Sequence, residues 1–104
     1  MKKYLNTNGN SWQLYLSKDL VKLLGITDKD YTVSLNIENN ILYVEKSNVD
    51  NASNLTKKLI KRGSGYGLNF TIPILELLNI NPENDYLDIE FNNKKLIIKK
   101  LQNL

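Results

Sequence analysis

The sequence predicts a mainly β protein of the α+β class, in which two β-β-α-β-β units interlock as one pseudo-dimeric, barrel-like domain. Three observations carry that prediction. The 104-residue chain repeats itself: a shift of 54 positions lays residues 3–46 over 57–100 without a gap. Within each copy, apolar residues alternate in short runs, as strands with one buried face require, and one helical spacing interrupts them. Finally, a unit of about 44 residues buries too little apolar surface to be stable without disulfides or a metal, so each copy needs the other.

The repeat preserves identities at Leu5/Leu59, Gly9/Gly63, Leu14/Leu68, Leu23/Leu77, Leu24/Leu78, Ile26/Ile80, Asn39/Asn93, Leu42/Leu96 and Lys46/Lys100. It also preserves apolar character where identity is lost: Trp12 with Tyr66, Leu16 with Phe70, Leu20 with Ile74, Val33 with Leu87 and Val44 with Ile98. Residues 1–47 and 57–104 are therefore the two repeats. The polar stretch 48–56 is the expected surface linker.

Each copy has the same order of elements. A first strand is expected around Tyr4-Leu5 and around Leu59-Ile60, running into a glycine-bearing loop. The second strand alternates Trp12, Leu14 and Leu16, or Tyr66, Leu68 and Phe70. Ser17 and Thr71 follow as N-caps, with Asp19 in one first turn and Pro73 preset for the other. The helices, Lys18 to Leu24 and Ile72 to Leu78, are expected to bury Leu20, Leu23 and Leu24, and Ile74, Leu77 and Leu78. Gly25 and Asn79 suit the left-handed conformation that ends a helix. A hairpin closes each unit, turning at Asn39-Asn40 and at Asn92-Asn93.

Composition excludes much chemistry. With no Cys and no His, the chain has no disulfide, thiol nucleophile or imidazole base, and is without the usual transition-metal ligands. No cofactor or metal is expected, and the chain is not expected to be an enzyme. Its beginning has two lysines but no apolar core of a signal peptide, and no run is long enough to span a bilayer, so a cytoplasmic protein with no membrane partner is expected. Charge is uneven: residues 1–50 hold six Lys and six acids, whereas residues 51–104 hold eight Lys/Arg and five acids. The surplus lies in Lys57-Lys58-Lys61-Arg62 and Lys94-Lys95-Lys99-Lys100, which suggests a polyanionic partner.

The run from Gly9-Asn10-Ser11-Trp12 to Asp19-Leu20, then Leu23-Leu24-Gly25-Ile26 and the hairpin, resembles the swapped-hairpin domain of the AbrB, SpoVT and MazE family. The second copy carries the pattern from Gly63-Ser64-Gly65-Tyr66 to Ile72-Pro73, then Leu77-Leu78-Asn79-Ile80. The likeness, closest to the MazE-like form, covers most of the chain. It implies two swapped-hairpin repeats and a sequence-specific regulator that binds double-stranded DNA, a small repressor or autoregulator. The chain would be either a monomer with a pseudo-dimeric fold or a homodimer. The DNA surface implied by the resemblance is Asn6, Thr7, Asn8, Asn10, Ser11, Gln13 and Tyr15 in copy one, and Lys58, Lys61, Arg62, Ser64 and Asn69 in copy two. Tyr15 and Asn69 stand where the family usually carries arginine, and Asn6-Thr7-Asn8 where basic residues usually precede the glycine. Copy two thus supplies charge and copy one neutral donors, an asymmetry suited to a non-palindromic site.

Other readings of the same residues are weaker. Gly63-x-Gly65-x-Gly67 has neither dinucleotide nor P-loop spacing and precedes a strand, so it reads as a flexible or bulged loop. Asp28/Asp30 fit a turn, and Asp88/Glu90 the polar face of a strand, rather than acid–base chemistry. Trp12 and the tyrosines could stack on bases, but Trp12 and Tyr66 lie in the apolar alternation and read as half-buried packing residues. Tyr15 lies out of phase and should be exposed. The alternative function is a protein-binding module, antitoxin-like or otherwise adapted, without DNA contacts. The sequence ends just after the last strand with no acidic tail, which disfavours the antitoxin role.

Overall fold

The computed structural model describes residues 2–8, 11–27, 29–48, 50–51 and 54–101. Over these residues the protein is mainly β, with two short helices. In chain order the elements are β1 (Lys2–Lys3), β2 (Asn6–Asn8), β3 (Ser11–Leu16), α1 (Lys18–Leu23), β4 (Thr32–Glu38), β5 (Ile41–Lys46), β6 (Leu55–Lys58), β7 (Ile60–Arg62), β8 (Gly65–Phe70), α2 (Ile72–Leu77), β9 (Leu87–Asn92) and β10 (Lys95–Lys100).

Two antiparallel sheets result. The larger has the order β1-β9-β10-β5-β4-β6 and the smaller β2-β3-β8-β7. Both draw strands from both halves of the chain. β1 pairs with β9, with Lys3 opposite Leu87, and β6 pairs with β4, with Lys57 opposite Val33. In each sheet a residue faces its own repeat equivalent: Leu14 pairs with Leu68, and Tyr43 with Ile97.

The inward faces meet in one core. Leu14, Leu16, Leu68 and Phe70 come from the smaller sheet, and Val33, Leu35, Leu42, Val44, Leu87, Ile89, Leu96 and Ile98 from the larger. Burial of this apolar area is the main force holding the sheets together.

Local chemistry explains the boundaries. Ser17 and Thr71 accept hydrogen bonds from the backbone N–H of Leu20 and Ile74, capping α1 and α2, and Pro73 lies in the first turn of α2. Gly25 and Asn79 adopt φ of +82° and +56° just beyond the helices, as a left-handed exit requires.

Several expectations are corrected. Tyr4-Leu5 does not form one strand, and neither does Leu59-Ile60. The chain breaks at the buried Leu5 and Leu59, where it leaves the larger sheet for the smaller. The helices bury Val21 and Leu24, and Ile74, Leu75 and Leu78; Leu23 and Leu77 are 56% and 59% exposed. The second hairpin turns at Asn93-Lys94, both at positive φ like Asn39-Asn40, and Asn92 belongs to β9. The stretch 48–56 is not wholly a surface linker, because β6 begins at Leu55 and Asn51 is buried. The Asn51 side chain donates to Glu45 Oε1 at 2.8 Å and to the Lys46 carbonyl, and accepts from the Asn48 N–H, which ties this segment to β5. Gly65 and Gly67 lie in strand β8 rather than in a loop; Gly63 alone of the three has positive φ.

Candidate nucleic-acid interface

The outward face of the smaller sheet gathers residues far apart in sequence. Antiparallel pairing sets Asn6 opposite Gln13, Gln13 opposite Asn69, Tyr15 opposite Gly67, and Arg62 opposite Gly65. Strand alternation then puts Asn6, Gln13, Tyr15, Arg62 and Asn69 on the same face, away from Leu14, Leu16 and Leu68.

Two glycines shape this face. A Cβ at Gly67 would overlap the Gln13 carboxamide, and one at Gly65 the Tyr15 hydroxyl. Gln13 and Tyr15 thus lie flat across β8, each over the diagonal neighbour of its paired residue. Gln13 is only 7% exposed although it points outward, and Tyr15 is 37% exposed.

Across the glycine strip runs a chain of hydrogen bonds. Arg62 Nε donates to Gln13 Oε1 at 3.0 Å, and Gln13 Nε2 donates to Asn69 Oδ1 at 2.8 Å. Guanidinium is a donor only, so it sets the direction of both bonds. Donors therefore stand at both ends: the Asn69 Nδ2 amide at one, the guanidinium Nη groups at the other. The bond to Gln13 uses one of five guanidinium N–H donors. The four on Nη form a planar fork that matches a phosphate or the O6/N7 edge of guanine.

Of the remaining sequence-predicted site residues, Ser11 shares this face with Gln13 and Tyr15 by strand alternation, whereas Lys61, Thr7, Ser64 and Lys58 are dispersed. Lys61 follows strand alternation to the face opposite Arg62 and pairs with Tyr66 in the backbone register. Thr7, opposite Trp12, likewise belongs to the other face. Asn8 pairs with Ser11, and Ser64 is exposed in the β7–β8 turn. Asn10 lies outside the described residues. Lys58 ends β6 in the larger sheet, opposite Thr32. Lys46 and Lys58 add their charge to the hydrogen bond from the Thr32 N–H, at 3.0 Å, in holding the Asp30 carboxyl below its ordinary pKa of 3.8; the hydrogen bond is the larger cause. The second lysine cluster is partly engaged: Lys95 pairs with Glu45 at 3.7 Å and Lys100 with Asp85 at 3.6 Å.

Electrostatics separates the two outward faces. On the larger sheet, Glu38, Glu45 and Asp50 line a hollow of about 550 Å³ together with Lys95, which is paired to Glu45, so acids outnumber cations there and it is a poor surface for a polyanion. The smaller sheet's face carries Arg62 among amides. Sequence reasoning missed the role of Gly65 and Gly67 and the meeting of Arg62 with Gln13, 49 residues away. The signal was present, because pairing Leu14 with its equivalent Leu68 brings Gly67 opposite Tyr15.

No protein-family model matches the chain, and neither a curated protein nor a solved structure matches it.

Proposed function

We propose that the chain is a duplex-DNA-binding regulator of the AbrB/MazE kind, acting in the cytoplasm, with its two halves as swapped-hairpin repeats forming a pseudo-dimer. The fold reading is supported by the exchange of first strands, β1 onto the hairpin of the second half and β6 onto that of the first, in equivalent register. The functional reading is carried by the Arg62–Gln13–Asn69 chain of bonds, which ends in donors on a face of neutral amides. Phosphate contacts set affinity and register, and base-edge contacts set sequence preference. Arg62 supplies the charge, Asn69 and Asn6 offer amides to base edges, and Gln13 orients Arg62.

Fluorescence anisotropy with a labelled duplex pool tests this reading. Binding should weaken steeply with salt, and Arg62→Ala should lower the log–log salt slope by about one unit. Absence of duplex binding at low salt sinks the assignment. A protein-binding module is the second reading, favoured by the exposed Leu23 and Leu77 at equivalent positions on the two helices. Under that reading Leu23→Ser with Leu77→Ser abolishes partner capture and Arg62→Ala does not.

A further inference from the structure

The repeat lets each half serve as a control for the other, and at one place they differ in chemistry. Tyr31 and Asp85 are equivalent positions, as are Trp12 and Tyr66. On one side the Tyr31 ring packs on Tyr66, centroids 5.3 Å apart and tilted by 42°. On the other side a carboxylate replaces the covering ring. There a hollow of about 390 Å³ opens, lined by Tyr4, Trp12, Pro82, Glu83, Asp85 and Tyr86.

The lining is unusual for a surface recess. Tyr4 and Tyr86 stand edge to face at 6.1 Å, although 61% and 42% exposed, so their rings pack against each other outside the core. The Asp85 carboxylate is fixed at the wall: its Oδ2 accepts from the Asn81 N–H at 2.7 Å and faces Lys100 Nζ at 3.6 Å. Glu83 adds an exposed second carboxylate. The chain itself shows what a ring here attracts, because Lys2 Nζ lies 4.0 Å from the Tyr86 centroid. Ring faces carry negative potential, and Trp is the strongest such partner. With Asp85 paired to Lys100 and Lys2 already on the Tyr86 ring, Glu83 is the lining carboxylate without a cation partner among the described residues, and three aromatic residues beside it favour a positive, weakly hydrated group over phosphate. Trp12 belongs to the face of β3 opposite Gln13, so the hollow is separate from the Arg62 surface.

We propose that this hollow is a binding site for a small organic cation of the methylated or quaternary ammonium class. The rings of Trp12, Tyr4 and Tyr86 pack around its methyl groups, Glu83 complements its charge, and Asp85, held by Asn81 and Lys100, forms the polar wall.

Trp12 is the only tryptophan, so intrinsic fluorescence reports on the hollow directly. The full chain is titrated with tetramethylammonium chloride at constant ionic strength, with sodium chloride and the neutral isostere tert-butanol as controls. The expected result is a saturable change with tetramethylammonium alone, weakened about two- to fivefold in Tyr86→Ala and again in Tyr4→Ala. Both residues are substantially exposed, so both variants should keep the wild-type circular dichroism. An equal response to tert-butanol would identify a merely apolar recess and overturn the proposal. So would the absence of a saturable response, or an affinity unchanged in both tyrosine variants.

Discussion

A methyl group added at Gly65 or at Gly67 meets different obstacles, and the difference tests the geometry of the smaller sheet. At Gly67 the three atoms nearest the new Cβ all belong to the Gln13 carboxamide, the far end of a flexible side chain. Gln13 can swing outward, giving up its bonds to Arg62 and Asn69. Two bonds are lost, but both partners are half-buried and regain water, so each is taken at the low end of the usual range, about 0.5 kcal/mol, or about 1 kcal/mol together. Replacing Gly in a strand returns about 0.5–1 kcal/mol of backbone entropy, leaving Gly67→Ala near neutral. At Gly65 the Cβ meets the Tyr15 hydroxyl and also the Leu16 backbone carbonyl, which is fixed in the β3–β8 ladder. Overpacking of that kind costs about 1–3 kcal/mol. The entropy return is the same at both sites and cancels, so urea unfolding should place Gly65→Ala about 1 kcal/mol below Gly67→Ala, with unchanged m-values. Equal stabilities, or a Gly65→Ala variant more stable than wild type, would refute the flat packing of Tyr15 and Gln13 over β8.

Other expectations follow from burial and charge. Leu24→Ala and Leu78→Ala, at 3% and 1% exposure, should each cost about 2–5 kcal/mol in thermal or urea unfolding, while Leu23→Ala and Leu77→Ala should be near neutral. Asp30 has a pKa lowered in the fold, so its stabilising contribution is present above the ordinary value of 3.8 and is lost as pH falls through the lowered value. Asp30→Asn should accordingly be less stable than wild type near neutral pH, with the difference vanishing in strong acid when unfolding is followed against pH. An isolated fragment of residues 1–50 lacks β8, β9 and β10, against which β3, β1 and β5 pair. It should be unfolded or self-associated by circular dichroism and sedimentation, and a well-folded monomer would contradict the mutual dependence of the halves.

The repeat made much of the fold legible. Equivalent hydroxyl caps, left-handed exits at Gly25 and Asn79, and the Asn39-Asn40 turn could all be read from residue chemistry. Helix phase could not. A six-residue helix makes under two turns, so Leu20, Leu23 and Leu24 describe as plausible a buried face as Val21 and Leu24 do, and only packing against the sheets decides. The division of the first strand at Leu5 and Leu59 was hidden for a similar reason: a local pattern does not record which sheet each side of a buried residue joins. The site was legible residue by residue but not as a constellation. Arg62, Gln13 and Asn69 meet only through the register of β3 on β8, and Lys58 and Lys61, neighbours of Arg62 in sequence, diverge because β6 and β7 belong to different sheets and Lys61 faces the other way.

Arg62 is the only arginine in the chain, so its Nε–H resonance is unambiguous in a nitrogen–proton correlation spectrum. Its bond to Gln13 should protect that proton from exchange with water. Titrating the protein with duplex DNA at low salt tests the central claim most directly. The account predicts that the Arg62 Nε–H signal and the Gln13 and Asn69 side-chain amides shift together and saturate with the duplex, while the Tyr43 and Ile97 backbone amides at the centre of the larger sheet stay in place. Duplex binding that leaves the Arg62 signal unmoved would contradict the assignment of the interface, and spectra unchanged throughout the titration would contradict DNA binding itself.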